Sequence, residues 1–140
     1  MDGFHLEMMD EPAPVDLQTI TDGLNAASTE FAPPYEKRPL TLLYRNDGRL
    51  LGGLVGSTVW GWLYINLLWV DKSQRNAGLG RQLVLAAEAE AVRRGCHAAF
   101  LNTFSFQARG FYEKLDYTVF GQLDDYPPGH QRIYMQKRLK

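Results

Sequence analysis

The stretch QRNAGLGRQL, from residue 74 to residue 83, combines basic side chains with two closely spaced glycines. Gly78 and Gly80 lie between Arg75 and Arg81, and an apolar run with helical spacing follows. Glycines so close together cost backbone entropy and bring no side chain to a core. The first N–H groups of a helix lack internal partners and lie at the positive end of the helix dipole. The segment therefore predicts an anion site at which small residues let the anion approach, and a diphosphate would suit both arginines.

Several phosphate-binding motifs share such glycines, and the neighbouring residues discriminate among them. A mononucleotide P-loop ends in Gly-Lys-Ser/Thr, whereas Gly80 is followed by Arg81 and Gln82. A dinucleotide fingerprint needs a third glycine or alanine three residues beyond Gly80, where this chain has Leu83. The pyrophosphate of coenzyme A remains, and so does a glycine-rich helix start that only packs tightly.

The elements that position this motif follow from periodicity and turn signals. Asp47-Gly48 between two apolar runs is a strong hairpin signal. Asp16 is expected to cap a first helix, Gly78 to begin a second that ends before Gly95, and Ser105 to open a third. The predicted helices start near Asp16, at about Gly78 and at 105–114; the predicted strands are 40–46, 49–58, 59–70, 97–103, 117–123 and 131–138.

The order of these elements predicts an α+β fold around one mixed sheet. A strand, a crossover helix and a second strand favour parallel pairing through a right-handed connection. The other strands follow one another through short turns, which favours antiparallel pairing. In the aromatic-rich third strand, alternation puts Trp60, Trp62 and Tyr64 on one face and Leu63 and Ile65 on the other.

Composition limits the classes of protein to which the chain can belong. Its 140 residues, 45% of them apolar, are enough for one domain with a core, predicted to span 1–140. A net charge of −1 argues against a nucleic-acid or membrane-surface partner, and the longest apolar stretch is too short for a membrane helix. One cysteine and an acidic N-terminus without an apolar run favour the cytoplasm. The three histidines are far apart in sequence, so no metal site is expected.

Two segments together resemble the signatures of the GNAT superfamily of N-acyltransferases. VDKSQRNAGLGRQL resembles the coenzyme A signature through Val70, Arg75, Gly78 and Gly80, although Lys72 replaces the usual proline. Downstream, SFQARGFYEKLDY resembles the second signature. Its matches are Ala108, Phe111, Tyr112, Lys114 and Tyr117, with Ser105 and Asp116 as departures from the usual asparagine and glycine. The C-terminal stretch is similar to a small bacterial subgroup of such acetyltransferases.

The resemblance implies a fold and a way of binding the cofactor. It implies a GNAT-like mixed central sheet with flanking helices, in which two splayed parallel strands form a coenzyme A cleft. Acetyl-CoA would place its pyrophosphate on the loop from Arg75 to Arg81 and its pantetheine arm on exposed backbone of Leu68 to Val70. The implied cofactor-binding residues are Leu68, Trp69, Val70, Arg75, Asn76, Ala77, Gly78, Leu79, Gly80, Arg81, Asn102 and Ser105. For Ser105, a helix cap is an alternative role.

The implied reaction is direct transfer of acetyl to a primary amine of a small molecule or peptide. Tyr112 would be the acid that protonates the departing thiolate, and a buried structural tyrosine is the alternative. The strand WLYINLLWV carries no carboxylate to deprotonate the amine. The candidate bases are Asp71, Asp124, Asp125, His130, or water relayed through Tyr64. Of these, Tyr64, Asp124, Asp125 and His130 are also the candidate substrate-binding residues.

A second functional class stays open at this point, namely a noncatalytic module that binds or senses acyl-CoA. Tyr112 favours the enzyme, whereas the missing carboxylate favours the binding module. Late strands often mediate association in the family, so a homodimer through the last strand, QRIYMQKRL, is expected.

Overall fold

The computed structural model describes residues 3–140, which form two compact units, one extending to Tyr35 and one from Glu36 to Lys140. The first unit contains α1 (Pro14–Ser28), none of whose residues is buried. Pro14 occupies the first helical turn, where its missing N–H costs nothing, so α1 begins before Asp16. Asp16 is therefore a first-turn residue and not the predicted cap. The prediction of one domain over 1–140 stays a prediction.

The second unit contains a six-stranded mixed sheet with two further helices. The strands are β1 (Arg38–Asn46), β2 (Arg49–Val59), β3 (Trp62–Val70), β4 (Ala98–Phe104), β5 (Thr118–Asp124) and β6 (Gln131–Arg138). The helices are α2 (Leu79–Arg93) and α3 (Arg109–Glu113), and a short 3-10 turn spans Lys72–Gln74. In the described part of the chain, no helix has both the length and the apolar character that a bilayer crossing demands.

The strand order is β1-β2-β3-β4-β6-β5, and only β3 and β4 run parallel. This confirms the predicted α+β class and the crossover through α2. The hairpin at Asp47-Gly48 is also confirmed, with φ of 50° and 77° at its two turn residues. β6 lies between β4 and β5, so it offers no free edge for association. The edge strand on this side of the sheet is β5, and the expected homodimer stays a prediction.

The third strand is shorter than the predicted 59–70. Trp60 and Gly61 have φ of 50° and 80° and form a tight turn, so β3 begins at Trp62. A Cβ on Gly61 would lie 2.8 Å from Nδ1 of His97, which leaves room only for glycine. Beyond the turn the predicted alternation holds, with Leu63 and Ile65 buried and Tyr64 half-buried.

One face of the sheet carries the core, which α2 covers. The helix buries Leu79, Leu83, Val84, Ala87 and Ala91 against strand residues. The strand side chains on this face include Leu54, Leu63, Ile65, Leu101, Ile133 and Met135. The opposite face carries polar and aromatic side chains, several of them exposed, and is called the open face below.

The end of α2 agrees with its sequence signals. Gly95 follows the last turn with φ of 89°, and Arg94 Nη1 donates to the carbonyl oxygen of Pro39 over 3.1 Å. Glu90 accepts from Arg94 at the surface. The buried carboxylate of α2 is Glu88, two residues before Glu90, and it accepts from Tyr117 and Lys137.

Candidate active site

The two parallel strands separate at a defined point. β3 and β4 pair from Trp62 opposite Ala98 to Ile65 opposite Leu101, and no pair follows, although both strands continue. At this point β3 contains a bulge, since Asn66 has no partner between the pairs Val55–Leu67 and Gly56–Ile65. A bulge bends its strand and increases the local twist. The bulge thus coincides with the opening of a V-shaped gap between β3 and β4.

Gly56 on β2 makes this bulge sterically possible. A Cβ on Gly56 would lie only 2.3 Å from the carbonyl oxygen of Tyr64, a distance that no real Cβ contact shows. Gly56 has no local sequence signal for this role, because the need for glycine arises from its pairing with β3.

A cleft of about 860 Å³ begins at the end of β3 and runs between the starts of α2 and α3. Its lining residues are Leu68, Trp69, Val70, Gln74, Arg75, Asn76, Gly78, Leu79, Gly80, Arg81, Gln107, Ala108, Gly110, Phe111 and Lys114. Most of the predicted cofactor-binding residues are therefore brought together here. Ala77 belongs to the same loop but does not line the cleft. The lining residues that were not assigned to the site from the sequence are Gln74, Gln107, Ala108, Gly110, Phe111 and Lys114.

The charge in the cleft is of one sign. Arg75, Arg81 and Lys114 line it, and none of the lining residues is acidic. All three cations are exposed, and only Arg75 has a hydrogen bond within residues 3–140, from its Nε to the carbonyl oxygen of Val70 over 3.4 Å. Free guanidinium and ammonium groups beside a helix N-terminus form an anion site.

The two signature glycines have different structural roles. Gly78 is the residue before α2, with φ of 81° and open space where a Cβ would be. A Cβ on Gly80 would lie 3.2 Å from the Phe111 ring, so the absence of a side chain at this position lets α3 pack closely against α2. Both glycines line the cleft, and their expected role in letting an anion approach stays a prediction.

Asn102 and Ser105 do not line the cleft. Asn102 lies on β4 just past the last pair with β3; its Nδ2 donates to Tyr64 Oη over 3.4 Å, and its Oδ1 accepts from Arg132 Nε over 3.0 Å. Ser105 is not a helix cap either, because α3 begins at Arg109, after Ala108. Its Oγ lies 3.2 Å from His130 Nδ1 and accepts from the backbone N–H of Gln131.

Tyr112 lies on α3, next to the cleft-lining Phe111, and its side chain is 6% exposed. Burial raises the pKa of the Tyr112 phenol to about 12. Its hydroxyl forms no hydrogen bond within residues 3–140. Every fully buried side-chain polar atom in that range does have a partner. The hydroxyl therefore keeps contact with solvent. This arrangement disagrees with a structural tyrosine held by a hydrogen bond.

A buried polar cluster fixes the ring beside Tyr112. Tyr117 packs edge-on against it with ring centroids 5.8 Å apart, and Tyr117 Oη donates to Glu88 Oε2 over 2.8 Å. Lys137 Nζ donates to Glu88 Oε1, also over 2.8 Å. Burial, then the Glu88 carboxylate, raises the pKa of Tyr117. Glu88 and Lys137 have no local sequence signal for this role because they lie on different elements.

Each carboxylate suggested as a base already accepts a hydrogen bond from a neighbouring residue. Hydrogen bonds from the Ser73 side chain and backbone hold the pKa of Asp71 below its ordinary value, which makes this carboxylate a weak base. Asp124 accepts from Gln122 over 2.9 Å, and Asp125 Oδ1 accepts from the backbone N–H of Gly129 over 3.4 Å.

The other two base candidates are His130 and Tyr64. His130 is exposed, and its ring packs against Phe106 with centroids 4.9 Å apart. Tyr64 lies on the open face at the apex of the V, where its hydroxyl donates to Asn66 Oδ1 over 3.3 Å.

Comparisons with known proteins agree with this geometry. The model of the GNAT acetyltransferase family matches residues 6–117. The blasticidin-S acetyltransferase of Streptomyces morookaense is 42% identical over 130 residues, which cover 88% of this chain and 96% of that protein.

Two solved structures bear on the fold. The crystal structure of an acetyltransferase from Agrobacterium tumefaciens superposes with a TM-score of 0.87 at 33% identity, covering 96% of this chain and 99% of the other. A streptothricin acetyltransferase from Bacillus anthracis, solved with acetyl coenzyme A, shares the fold with a TM-score of 0.64 at 22% identity, covering 77% of this chain and 64% of that one. The family match, the named relative and the splayed strands lead to one conclusion: the chain belongs to the GNAT family and is an acetyl-CoA-dependent N-acetyltransferase.

Proposed function

We propose that this acetyltransferase modifies a primary amine of a small molecule, with blasticidin S as the first candidate acceptor. The choice of candidate rests on the relative of that name, whose length the match almost completely covers. The structural observation that carries the proposal is the cationic cleft that begins where β3 leaves β4. This cleft can hold the phosphates of acetyl-CoA while the open face, beside the same gap, stays accessible to an acceptor.

The residues of the cleft fit acetyl-CoA. The loop from Arg75 to Arg81 would hold the pyrophosphate through backbone N–H groups at the start of α2, with Lys114 as a further cation. The unpaired edge of β3, from Leu68 to Val70, would bond the pantetheine amides, because its polar groups have no partner on β4. When bound, acetyl-CoA supplies an acetyl group activated as a thioester.

Tyr112 is proposed as the donor to the sulfur that departs. The Tyr112 phenol is protonated at neutral pH because its pKa is about 12. Complete transfer to a thiolate whose thiol has a pKa of about 8.5 is uphill. The main contribution of Tyr112 is therefore a hydrogen bond to the developing negative charge, given by a hydroxyl that has no competing partner within residues 3–140.

Water at Tyr64 is proposed to take the proton of the acceptor amine. The hydroxyl of Tyr64 lies between Asn66 and Asn102, at the apex of the V. No carboxylate takes part in this group of hydrogen bonds. A second oxygen lone pair of Tyr64 can orient a water molecule, which carries the proton away to solvent.

Release of the free thiol of coenzyme A tests the function. The purified protein is mixed with acetyl-CoA and either blasticidin S or a panel of other small amines and peptides, and thiol is measured against a no-acceptor blank. We expect release with blasticidin S and little with peptides. Release with peptides alone would overturn the choice of a small-molecule acceptor, and none with any amine would overturn the proposed function.

Acetyl-CoA is expected to raise the melting temperature. A ligand that binds only the native state stabilises it by about 2.7 kcal/mol at roughly a hundred times its Kd. Arg81→Gln should reduce this shift because it removes one cleft cation, whereas Arg93→Gln, at the far end of α2, should not. Melting scans with and without ligand measure both. Equal shifts in the two variants would place the phosphates elsewhere.

The absence of a protein base predicts a simple pH dependence. An amine with a pKa near about 10 is mostly protonated at neutral pH. Without an enzyme base, kcat/KM should rise about tenfold per pH unit towards the pKa of the amine. Asp124→Asn and Asp125→Asn should each stay within about threefold of wild type, since each carboxylate accepts a hydrogen bond from a residue close to it in sequence. A plateau below the pKa of the amine that disappears in either variant would identify that aspartate as the base.

We also propose that the enzyme acts in the cytoplasm as a homodimer. The edge strand β5 carries exposed Val119, Phe120 and Leu123, which is apolar surface suited to a second copy. Light scattering should give twice the monomer mass of 15.9 kDa, and a monomer at high concentration would contradict the dimer.

A further inference from the structure

A chain of hydrogen bonds crosses the open face at the apex of the V. Tyr64 donates to Asn66, Asn102 donates to Tyr64, and Arg132 Nε donates to Asn102 Oδ1 over 3.0 Å. Arg132 Nη1 donates to Tyr126 Oη over 2.9 Å. Arg132 carries the only formal charge in this chain of bonds.

Aromatic rings surround the guanidinium of Arg132. Its central carbon lies 5.8 Å from the ring centroid of Phe104, 5.0 Å from that of Tyr126 and 5.5 Å from that of Tyr134. Phe104 stacks on both Phe106 and Tyr126, so the rings form a continuous wall beside the cation. These contacts favour the cation but supply no negative charge.

No carboxylate within residues 3–140 forms an ion pair with Arg132, although the residue is half-buried. The nearest acids in sequence, Asp124 and Asp125, bond to Gln122 and Gly129. Nε and Nη1 of Arg132 are both occupied, and Nη2 has no hydrogen bond within the described residues. A half-buried guanidinium is costly without a counter-charge and binds planar oxyanions well.

The position of Arg132 connects this charge with the transfer site. Arg132 lies opposite Phe104 in the β4–β6 ladder, and its partner Asn102 directly follows Leu101, the last β4 residue paired with β3. An anion bound to the free edge of the guanidinium would therefore lie beside the apex of the V. An acceptor with its amine at the thioester could reach this edge with another part of the same molecule.

We propose that Arg132 is an acceptor subsite for a carboxylate, so that the substrate of this enzyme carries both an amine and an anionic group. This inference rests on the proposed function for the identity of the reaction, but the subsite itself is defined by the side chains around Arg132.

Binding of benzoate and benzamide tests the subsite without turnover. Benzoate carries a carboxylate and a flat ring suited to the aromatic wall, and benzamide has the same shape without the charge. Titrations followed by NMR on protein saturated with coenzyme A should show benzoate binding at Arg132 and benzamide binding at least tenfold more weakly. Equal binding of the two probes, or no benzoate binding, would overturn the proposal.

Three variants separate recognition of the anion from a structural role. Arg132→Gln should no longer bind benzoate. Arg132→Lys should bind it more weakly than wild type, because lysine keeps the charge but lacks the planar set of N–H donors of the guanidinium. Arg138→Gln should bind it like wild type, since it removes the same charge from the same face of β6 further from the apex. Melting scans confirm that each variant is folded. Benzoate affinity that survives in folded Arg132→Gln would show that Arg132 is structural.

Kinetics provide the second measurement. If blasticidin S is acetylated, Arg132→Gln should raise the KM for it about tenfold or more and leave the KM for acetyl-CoA unchanged. An unchanged acceptor KM would overturn the subsite as part of the acceptor site. Benzoate binding at Arg132 without acetylation of blasticidin S would support the subsite and reject only the candidate acceptor.

Discussion

Replacing Tyr112 with phenylalanine is expected to lower kcat about a hundredfold while the KM for acetyl-CoA stays near its wild-type value. The change removes one oxygen and keeps the ring that packs against Phe111 and Tyr117. A hydrogen bond donated to developing negative charge is typically worth about 10² to 10³-fold, and a thiolate is already a fair leaving group, so the lower end is expected. Stability should change by less than about 1 kcal/mol, because no hydrogen bond within residues 3–140 is lost.

Tyr117→Phe provides the matched comparison. It keeps its ring beside Tyr112 but removes the hydrogen bond to buried Glu88, which should cost about 1–3 kcal/mol of stability. Its kcat, measured well below its melting temperature, should fall less than tenfold. The two variants thus have opposite signatures in activity and stability. Equal kcat for wild type and Tyr112→Phe, both saturated with acetyl-CoA, would remove Tyr112 from the mechanism.

The pKa of Tyr112 adds a pH test to this prediction. A phenol with its pKa raised to about 12 stays protonated through pH 10, where an ordinary tyrosine is already half ionised. Activity that depends on the protonated hydroxyl should therefore show no falling alkaline limb from this residue below about pH 11. A limb near pH 10 that is absent in Tyr112→Phe would show that the phenol is solvated like a free tyrosine.

The parts of the site that the sequence predicted are local. The helix start at Gly78, the turn at Asp47-Gly48 and the helix end at Gly95 depend on the backbone preferences of a few neighbouring residues. Such preferences are visible in any short segment. The cofactor-binding residues between Leu68 and Arg81 were implied by the resemblance of the motif to the family signature, and most of them line the cleft.

The parts that the sequence did not predict depend on partners distant in the chain. Ser105 pairs with His130, and Asn102 with Arg132, and their expected role toward the pantetheine arm stays a prediction. The charge of Arg132 matters because no carboxylate within residues 3–140 forms an ion pair with it. Lys114 matched a motif, but its position at the cleft requires α3 to pack beside α2.

Replacing Gly56 with alanine is expected to abolish most acetyl transfer, although Gly56 lies outside the cleft lining. The new Cβ would lie 2.3 Å from the carbonyl oxygen of Tyr64, so β3 would have to move away or lose its bulge. Loss of the bulge would flatten the strand at Asn66 and move the edge from Leu68 to Val70, to which we assign the pantetheine. Overpacking of this kind typically costs about 1–3 kcal/mol of stability.

Gly121→Ala is the control for Gly56→Ala, because a Cβ at Gly121, in β5, would meet only ordinary contact, 3.9 Å from Cβ of Tyr134. Acetyl-CoA affinity measured by calorimetry on folded protein should fall at least tenfold in Gly56→Ala and remain unchanged in Gly121→Ala. The measurement must be made below the melting temperature of the weaker variant, so that unfolding does not imitate loss of the site. If folded Gly56→Ala bound acetyl-CoA like wild type, the opening between β3 and β4 would not depend on the bulge. Since β3 and β4 stop pairing at the residue before Asn66, we expect instead that the cleft and the bulge are lost together.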